Sequence, residues 1–219
     1  LAEYEKALQS NTDPAMFANS EFQKIMHSDR ALNAFCPLDW RGLNLGDGVE
    51  GIHINVDPEF LKKRHKPPAR PIPVQMQGDV HTEFLKMCTY LFVPSDSNIA
   101  SPLHVAPKET QPFIRLCADF SHINKYIEMP QYKMLNVIQE IHKLRSFKYF
   151  HDIDLANAFH QIPLDEASSK LLSVQTMWGL VRPLYVMEGV SSAPGILQHY
   201  MTKFFEEMAE CSVVIMDNI

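Results

Sequence analysis

The chain has 219 residues, 46% of them hydrophobic and 21% charged, enough to bury a core in one large domain or two small ones and unlike a disordered tail. Its longest apolar runs, such as Leu184–Met187 and Val213–Met216, are far too short to cross a bilayer, and the polar start has no signal-peptide core. The net charge of −6 argues at first against a nucleic-acid partner, because phosphate binding runs on Lys and Arg. The distribution reverses that reading: residues 1–61 carry ten acids and four bases, residues 62–148 seven acids and thirteen bases, and residues 149–219 nine acids and three bases. A basic middle beside an acidic end suits a protein that holds phosphates with one part and divalent cations with another, although solvated surface charge gives the same totals.

Residues 1–31 read as helical and polar, with Phe22, Ile25 and Met26 at helix spacing. The four cysteines, Cys36, Cys88, Cys117 and Cys211, lie far apart without a CxxC pair, which fits buried thiols in a reducing compartment better than disulfides or zinc. From Pro58 to Pro73 five prolines and the run Lys62-Lys63-Arg64-His65-Lys66 favour an extended segment laid over a surface, or a basic linker. Residues 79–92 are predicted helical through Val80, Phe84, Met87 and Leu91, closed by Pro94 and a turn-rich stretch. Leu103–Ala106 and Phe113–Phe120 are predicted as the arms of a hairpin around Lys108-Glu109-Thr110-Gln111.

Met134, Val137, Ile138, Ile141 and Leu144 mark an amphipathic helix. Lys148–Leu155 is predicted as a strand, and Leu171–Thr176 and Val181–Met187 as strands around a Trp178-Gly179 turn. A second helix runs from Pro194 through Ile196, Leu197, Tyr200, Met201, Phe204 and Phe205 to Met208, and Ser212–Met216 is an apolar strand stopping at Asp217. The order of helices and antiparallel strands reads as α+β.

Strand alternation places Phe150, Asp152 and Asp154 on one face, with Asp154 where the strand ends. Asp217 ends another apolar strand. Two adjacent strands ending in acids would bring carboxylate oxygens together for hard cations such as Mg²⁺, the raw material of two-metal phosphoryl transfer. Taken singly, each acid is also an ordinary turn residue or helix cap. His151 and His160 lack the helix-type spacing of a transition-metal pair.

Four stretches then carry a family resemblance. They are Ser101-Pro102-Leu103 to Lys108 with Arg115-Leu116-Cys117-Ala118-Asp119-Phe120 and Asn124; Tyr149 to Ile162, containing Phe150-His151-Asp152-Ile153-Asp154 and Ala158-Phe159-His160-Gln161; Gly189 with Ser192-Ala193-Pro194 and Gln198; and Val213-Val214-Ile215-Met216-Asp217-Asn218. In that order and at those spacings, residues from about 50 to 219 resemble the fingers and first half of the palm of a reverse transcriptase from a gypsy-class LTR retrotransposon. The resemblance implies a right-hand polymerase with a ferredoxin-like palm core, truncated before the thumb. Residues 1–57 would be a linker or pre-fingers segment, 58–147 the fingers with a basic lead-in at 58–73, and 148–219 the partial palm.

By the same resemblance, Asp154 and Asp217 are the catalytic carboxylates that hold two Mg²⁺, for which Mn²⁺ could substitute. Lys108 and Arg115 grip the incoming triphosphate, and Phe159 blocks a ribose 2′-hydroxyl so that deoxynucleotides are preferred. Gly189 belongs to the nucleotide site and Gln198 lies near template and primer. From the residues alone, Phe159 is equally a core side chain, Gln198 a surface amide, and Lys108 and Arg115 ordinary hairpin charge. The implied partners are an RNA or DNA template with its primer, dNTP, and the thumb and RNase H regions of a parent polyprotein, with no membrane; the setting would be intracellular, in a cytoplasmic retroelement particle. Two departures stand out: Glu188 precedes Gly189 where the family has an aromatic residue or Gln, and Asn218 replaces the second of paired aspartates. The implied function is RNA-directed DNA polymerase, with this chain alone expected to be inactive. The competing reading is a catalytically decayed, retroelement-derived binding or structural module.

Overall fold

The computed structural model describes residues 2–29, 31–32, 50–62, 65–110, 112–129, 136–150 and 152–219. Cys36, Lys63, Arg64, Gln111, Met134 and His151 lie outside the described residues. The chain forms two compact units, Leu1–Arg41 and Gly42–Ile219. The first carries α1 (Ala2–Asn11), α2 (Pro14–Phe17) and α3 (Ser20–Met26). Asp13 and Asn19 accept the first free amides of α2 and α3, and the Tyr4 hydroxyl donates to the Met26 carbonyl at 2.8 Å. The helical reading of this stretch is therefore correct.

The larger unit is α+β. It opens with residues 50–57, which run as a strap against three later segments. Ile52 N–H donates to Pro163 O at 2.8 Å, Ile54 N–H to the Ser168 hydroxyl at 2.7 Å, and Glu128 N–H to Asn55 O at 2.9 Å. The approach at Gly51 is so close that a Cβ there would lie 2.5 Å from Asp165 N and 2.5 Å from Leu164 C. Gly51→Ala is therefore expected to destabilise the fold by about 1–3 kcal/mol, the usual cost of forcing extra volume into a packed site. A denaturation midpoint equal to that of the wild type would contradict this.

Asp57 caps the short α4 (Pro58–Leu61), whose Phe60 is buried and stacks on His65 at 4.1 Å. His65 bonds through both backbone groups to Asn98 and Ala100, and the rest of the proline-rich stretch to Pro73 has no helix. The extended segment laid over a surface is thus found from His65 onward. Next come α5 (Gln77–Cys88) and β1 (Phe92–Pro94). The predicted helix over 79–92 begins earlier and stops before Leu91: Leu91 O accepts from Leu184 N–H, and Phe92 pairs with Pro183. Cross-strand pairing wins there over the helical spacing of Leu91.

The hairpin β2 (Ser101–Pro107) and β3 (Ile114–Ala118) is antiparallel, with Leu103 opposite Ala118 and Pro107 opposite Ile114. After α6 (Val137–Lys143) and α7 (Glu166–Leu171), β4 (Val174–Thr176) and β5 (Gly179–Pro183) complete a five-stranded sheet in the order β1-β5-β4-β2-β3. The β2–β4 pair is parallel, Ser101 opposite Val174, and the others are antiparallel. This sheet draws on residues of both 58–147 and 148–219. Leu171 is the end of α7, so the first strand of the 171–176 pair is shorter than predicted. The turn at Trp178 is as expected: Gly179 has φ +134°, and the Trp178 ring stacks on Phe84 at 5.1 Å.

The core combines sheet residues such as Leu103 and Val174 with Phe120, Ile123 and Val186, and with the buried face of α8 (Ala193–Phe204), namely Ile196, Leu197 and Met201. The predicted helix to Met208 ends instead at Phe204, and Glu206–Met208 is a separate 3₁₀ turn. On α6, Ile138 and Ile141 are exposed, so the apolar stripe seen in the sequence is not covered by the described residues. Two further strands are corrected. Among its described residues Lys148–Leu155 pairs only at its end, through Ile153 and Leu155, and Ser212–Met216 forms a loop that closes in a tight turn. A strand needs a neighbour to take its amides along its length, and Lys148–Phe150 have none among the described residues.

Candidate active site

The tight turn closes through reciprocal backbone bonds between Ile215 and Asn218, at 2.8 and 3.1 Å. Met216 has φ +55°, a left-handed conformation that an L residue holds only under external constraint. Gln198 supplies that constraint. It is 6% exposed; its amide nitrogen donates to Val214 O at 2.9 Å and to the Thr202 hydroxyl at 3.1 Å, and its amide oxygen accepts from Met216 N–H at 2.9 Å. Gln198 is therefore a buried brace beneath the turn, and the bland reading of a surface amide is incorrect.

The turn is stitched to the end of the 148–155 segment. Ile153 and Ile219 exchange both backbone bonds at 2.9 Å, Leu155 N–H donates to Asp217 O at 2.9 Å, and Asp154 lies opposite Asn218. This short ladder carries Asp154 and Asp217 to the wall of one cleft of about 530 Å³. Among the described residues neither carboxylate forms an ion pair with Lys, Arg or His. The Asn218 amide lies 3.4 Å from Asp217 Oδ1.

The hairpin also contributes to the lining of this cleft. Arg115 is opposite Ala106, and Lys108 follows β2 directly, its N–H donating to Phe113 O at 2.9 Å. Arg115 and Lys108 line the cleft without an ion-pair partner among the described residues. Asn157, with φ +47°, starts the 3₁₀ turn Ala158–Gln161, which puts half-buried Phe159 in the lining and packs Ala158 into the core. The structure thus brings together Asp154, Asp217, Lys108, Arg115 and Phe159, which sequence alone leaves as separate signals. Phe159 also packs on the core, so its two readings coexist.

Gly189 is not in the lining of this cleft. It makes a turn with φ +87°, and Asn124 holds that turn by donating to Gly189 O at 2.8 Å and accepting from Ser191 N–H at 3.0 Å. The residue before it, Glu188, does line the cleft, together with His160. His160 is 4% exposed, and its Nε2 lies 3.5 Å from Glu188 Oε2. The imidazole beside Glu188 holds its carboxyl below the usual range. No periodic pattern in the sequence links His160 to Glu188.

No family model matches the chain. Among curated proteins it is 27% identical over 155 residues to the retrovirus-related Pol polyprotein from transposon opus of Drosophila melanogaster, covering 68% of this chain and 16% of that protein. It is 34% identical over 117 residues to the Pol polyprotein from transposon 412 of the same organism, covering 51% of this chain and 10% of the relative. The transposon Tf2-7 polyprotein of Schizosaccharomyces pombe is 26% identical over 177 residues, 78% of this chain and 13% of the relative. The chain thus spans less than a fifth of the length of these relatives. In fold it is similar to the foamy viral protease-reverse transcriptase in complex with an RNA/DNA hybrid, with a TM-score of 0.75 at 16% identity over 99% of this chain and 28% of that one. The same protein in complex with dsDNA gives 0.72 at 15% identity over 99% of this chain and 44% of that one.

Proposed function

Because this chain is homologous to retrotransposon Pol polyproteins and has the polymerase-domain fold of a reverse transcriptase, we propose that it forms the nucleotide-binding and catalytic face of an RNA-directed DNA polymerase. The observation that carries the reading is the meeting of two carboxylates, Asp154 and Asp217, with two cations, Lys108 and Arg115, in the lining of one cleft, none of the four in an ion pair among the described residues. Acids and bases lining one cleft suit a substrate that is itself a metal-bound polyanion.

The donor set fits a hard divalent cation. Both donors are carboxylates on a stitched backbone, and no third acid, imidazole or thiol completes a cluster with them among the described residues. The remaining ligands would come from phosphate and solvent, as is usual for Mg²⁺. When bound, a pair of Mg²⁺ or Mn²⁺ ions supplies Lewis acidity for phosphoryl transfer. Lys108 and Arg115 bind and orient the triphosphate by charge-assisted hydrogen bonds. Phe159, held by the 3₁₀ turn and by the core, presents a flat apolar surface to the sugar. A template with its primer is the nucleic-acid partner this reading implies, and the structural neighbours are themselves in complex with an RNA/DNA hybrid and with dsDNA.

The test is primer extension by a chimaera in which the downstream region of the opus polyprotein follows Ile219. It should add dNTP to a DNA primer on an RNA template with Mg²⁺ or Mn²⁺. In the same chimaera Phe159→Ala should lower the dNTP-to-rNTP incorporation ratio by about tenfold or more, the scale of a lost steric contact in a specificity pocket. A folded chimaera that binds primer and template yet extends nothing with either metal would overturn the reading. The decayed-module alternative draws on Asn218 and Glu188, and that inert result would favour it.

A further inference from the structure

We infer that Phe113 is a positioning residue of the nucleotide site: its left-handed backbone turns its own ring out of the cleft and holds Lys108 beside Arg115. The inference rests on the nucleotide-site reading above and names the residue that sets the spacing of its two cations.

Phe113 lies between β2 and β3 with φ +63°. A bulky L residue keeps that conformation only where the surrounding structure imposes it, because its Cβ crowds the following carbonyl oxygen. Gly or Asn is the usual occupant. The Phe113 side chain is 56% exposed, so burial does little to offset the strain. Backbone bonds impose it instead. Lys108 N–H donates to Phe113 O at 2.9 Å, and Phe113 N–H donates to Thr110 O at 2.7 Å. The first of these bonds carries the hairpin one step beyond the pair Pro107 and Ile114. Continuing that register sets Lys108 diagonal to Arg115, on the face of the hairpin that Ala106 and Arg115 share.

An extended residue at 113 would belong to that face too, since alternation from Arg115 returns there after two residues. Its side chain would then stand across from Lys108, in the space that a triphosphate needs. The left-handed turn prevents this. Pro112, Ile114 and Arg115 line the cleft and Phe113 does not; it lines a neighbouring groove with Asp79, Thr82 and Lys86 of α5. Strain at one backbone position thus keeps a large apolar side chain away from the two cations and ties down the amide of Lys108. Strained dihedrals cluster at ligand clamps for this kind of reason.

Calorimetric titration of inorganic tripolyphosphate into the chain, without divalent metal, tests the proposal. Phe113→Asn and Phe113→Val both remove the ring, but Asn accepts a positive φ and β-branched Val resists it. Phe113→Asn should bind within about twofold of the wild type and Phe113→Val about tenfold more weakly, the size of one lost charge-assisted contact. Lys108→Ala should weaken binding by a similar factor, and Phe113→Val added to it should cost little more, because both changes remove the same contact. A folded Phe113→Asn that binds as weakly as Lys108→Ala assigns the role to the ring and overturns the proposal, whether or not the Val variant folds. Wild-type affinity in Phe113→Val, or additive losses in the double variant, would overturn it as well. If the wild type does not bind tripolyphosphate, or Lys108→Ala leaves its affinity unchanged, the nucleotide-site reading itself fails. A loss in Lys108→Ala without one in Phe113→Val fails the positioning role alone.

Discussion

Asp154→Asn should cut primer extension in the chimaera by at least about a hundredfold, the scale of removing one preorganised electrostatic group from a reacting centre. The amide keeps the shape of the side chain and its carbonyl oxygen, but it removes one of the four carboxylates that line the cleft. A second readout separates charge from folding. Mn²⁺ binding to the chain, followed by electron paramagnetic resonance, should weaken strongly in Asp154→Asn and in Asp217→Asn while the melting temperature stays near that of the wild type. A melting temperature that falls while Mn²⁺ affinity holds would assign both residues to the turn rather than to a metal. Asn218→Asp adds a charge beside Asp217 and should shift Mn²⁺ affinity the other way.

The other large effect belongs to Gln198. Gln198→Leu fills the same space but strands the Val214 carbonyl and the Met216 amide, each of which its side chain now satisfies. Each stranded group costs about 1–3 kcal/mol if it stays buried. The left-handed Met216 also loses its restraint, so Asp217 should lose its fixed position. The expected result is a lower melting temperature together with weakened Mn²⁺ binding at temperatures well below the transition. Gln198→Glu can still accept from Met216 N–H but can no longer donate to Val214 O, and it should fall between the two. If Mn²⁺ affinity is unchanged in Gln198→Leu below its transition, the amide supports stability only.

What the sequence made legible, and what it hid, divides along physical lines. The hairpin from Ser101 to Ala118 was readable because alternation of Leu103, Val105, Ile114, Leu116 and Ala118 reports burial on one face directly. The helix Ala193–Phe204 was readable for the same reason at the other period. The segments ending at Asp154 and Asp217 were misread as full strands because apolar composition records burial and says nothing about whether a neighbouring strand is there to pair. Their places at two predicted strand ends make Asp154 and Asp217 candidates for one cation site, and the family resemblance pairs them, since no local pattern links positions so far apart. Gln198 and His160 were opaque for a different reason. A polar side chain buried by tertiary contacts has no periodic signature, so the brace under Met216 and the contact of His160 with Glu188 emerge only in three dimensions.

The sheet order also bears on how the chain acquires its structure. Among the described strands β1 has only β5 as a neighbour, and the inner edge of β2 is closed by β4, so Phe92 waits for Pro183 and Ser101 for Val174. Pairings across such sequence distances are entropically late. During synthesis, β1–β3 would emerge from the ribosome well before the strands that seal them, leaving bare backbone edges for a time. The hairpin that carries Arg115 and leads to Lys108 is thus locked into its sheet only once β4 and β5 arrive, which ties the ordering of these two cations to strands made some sixty residues later.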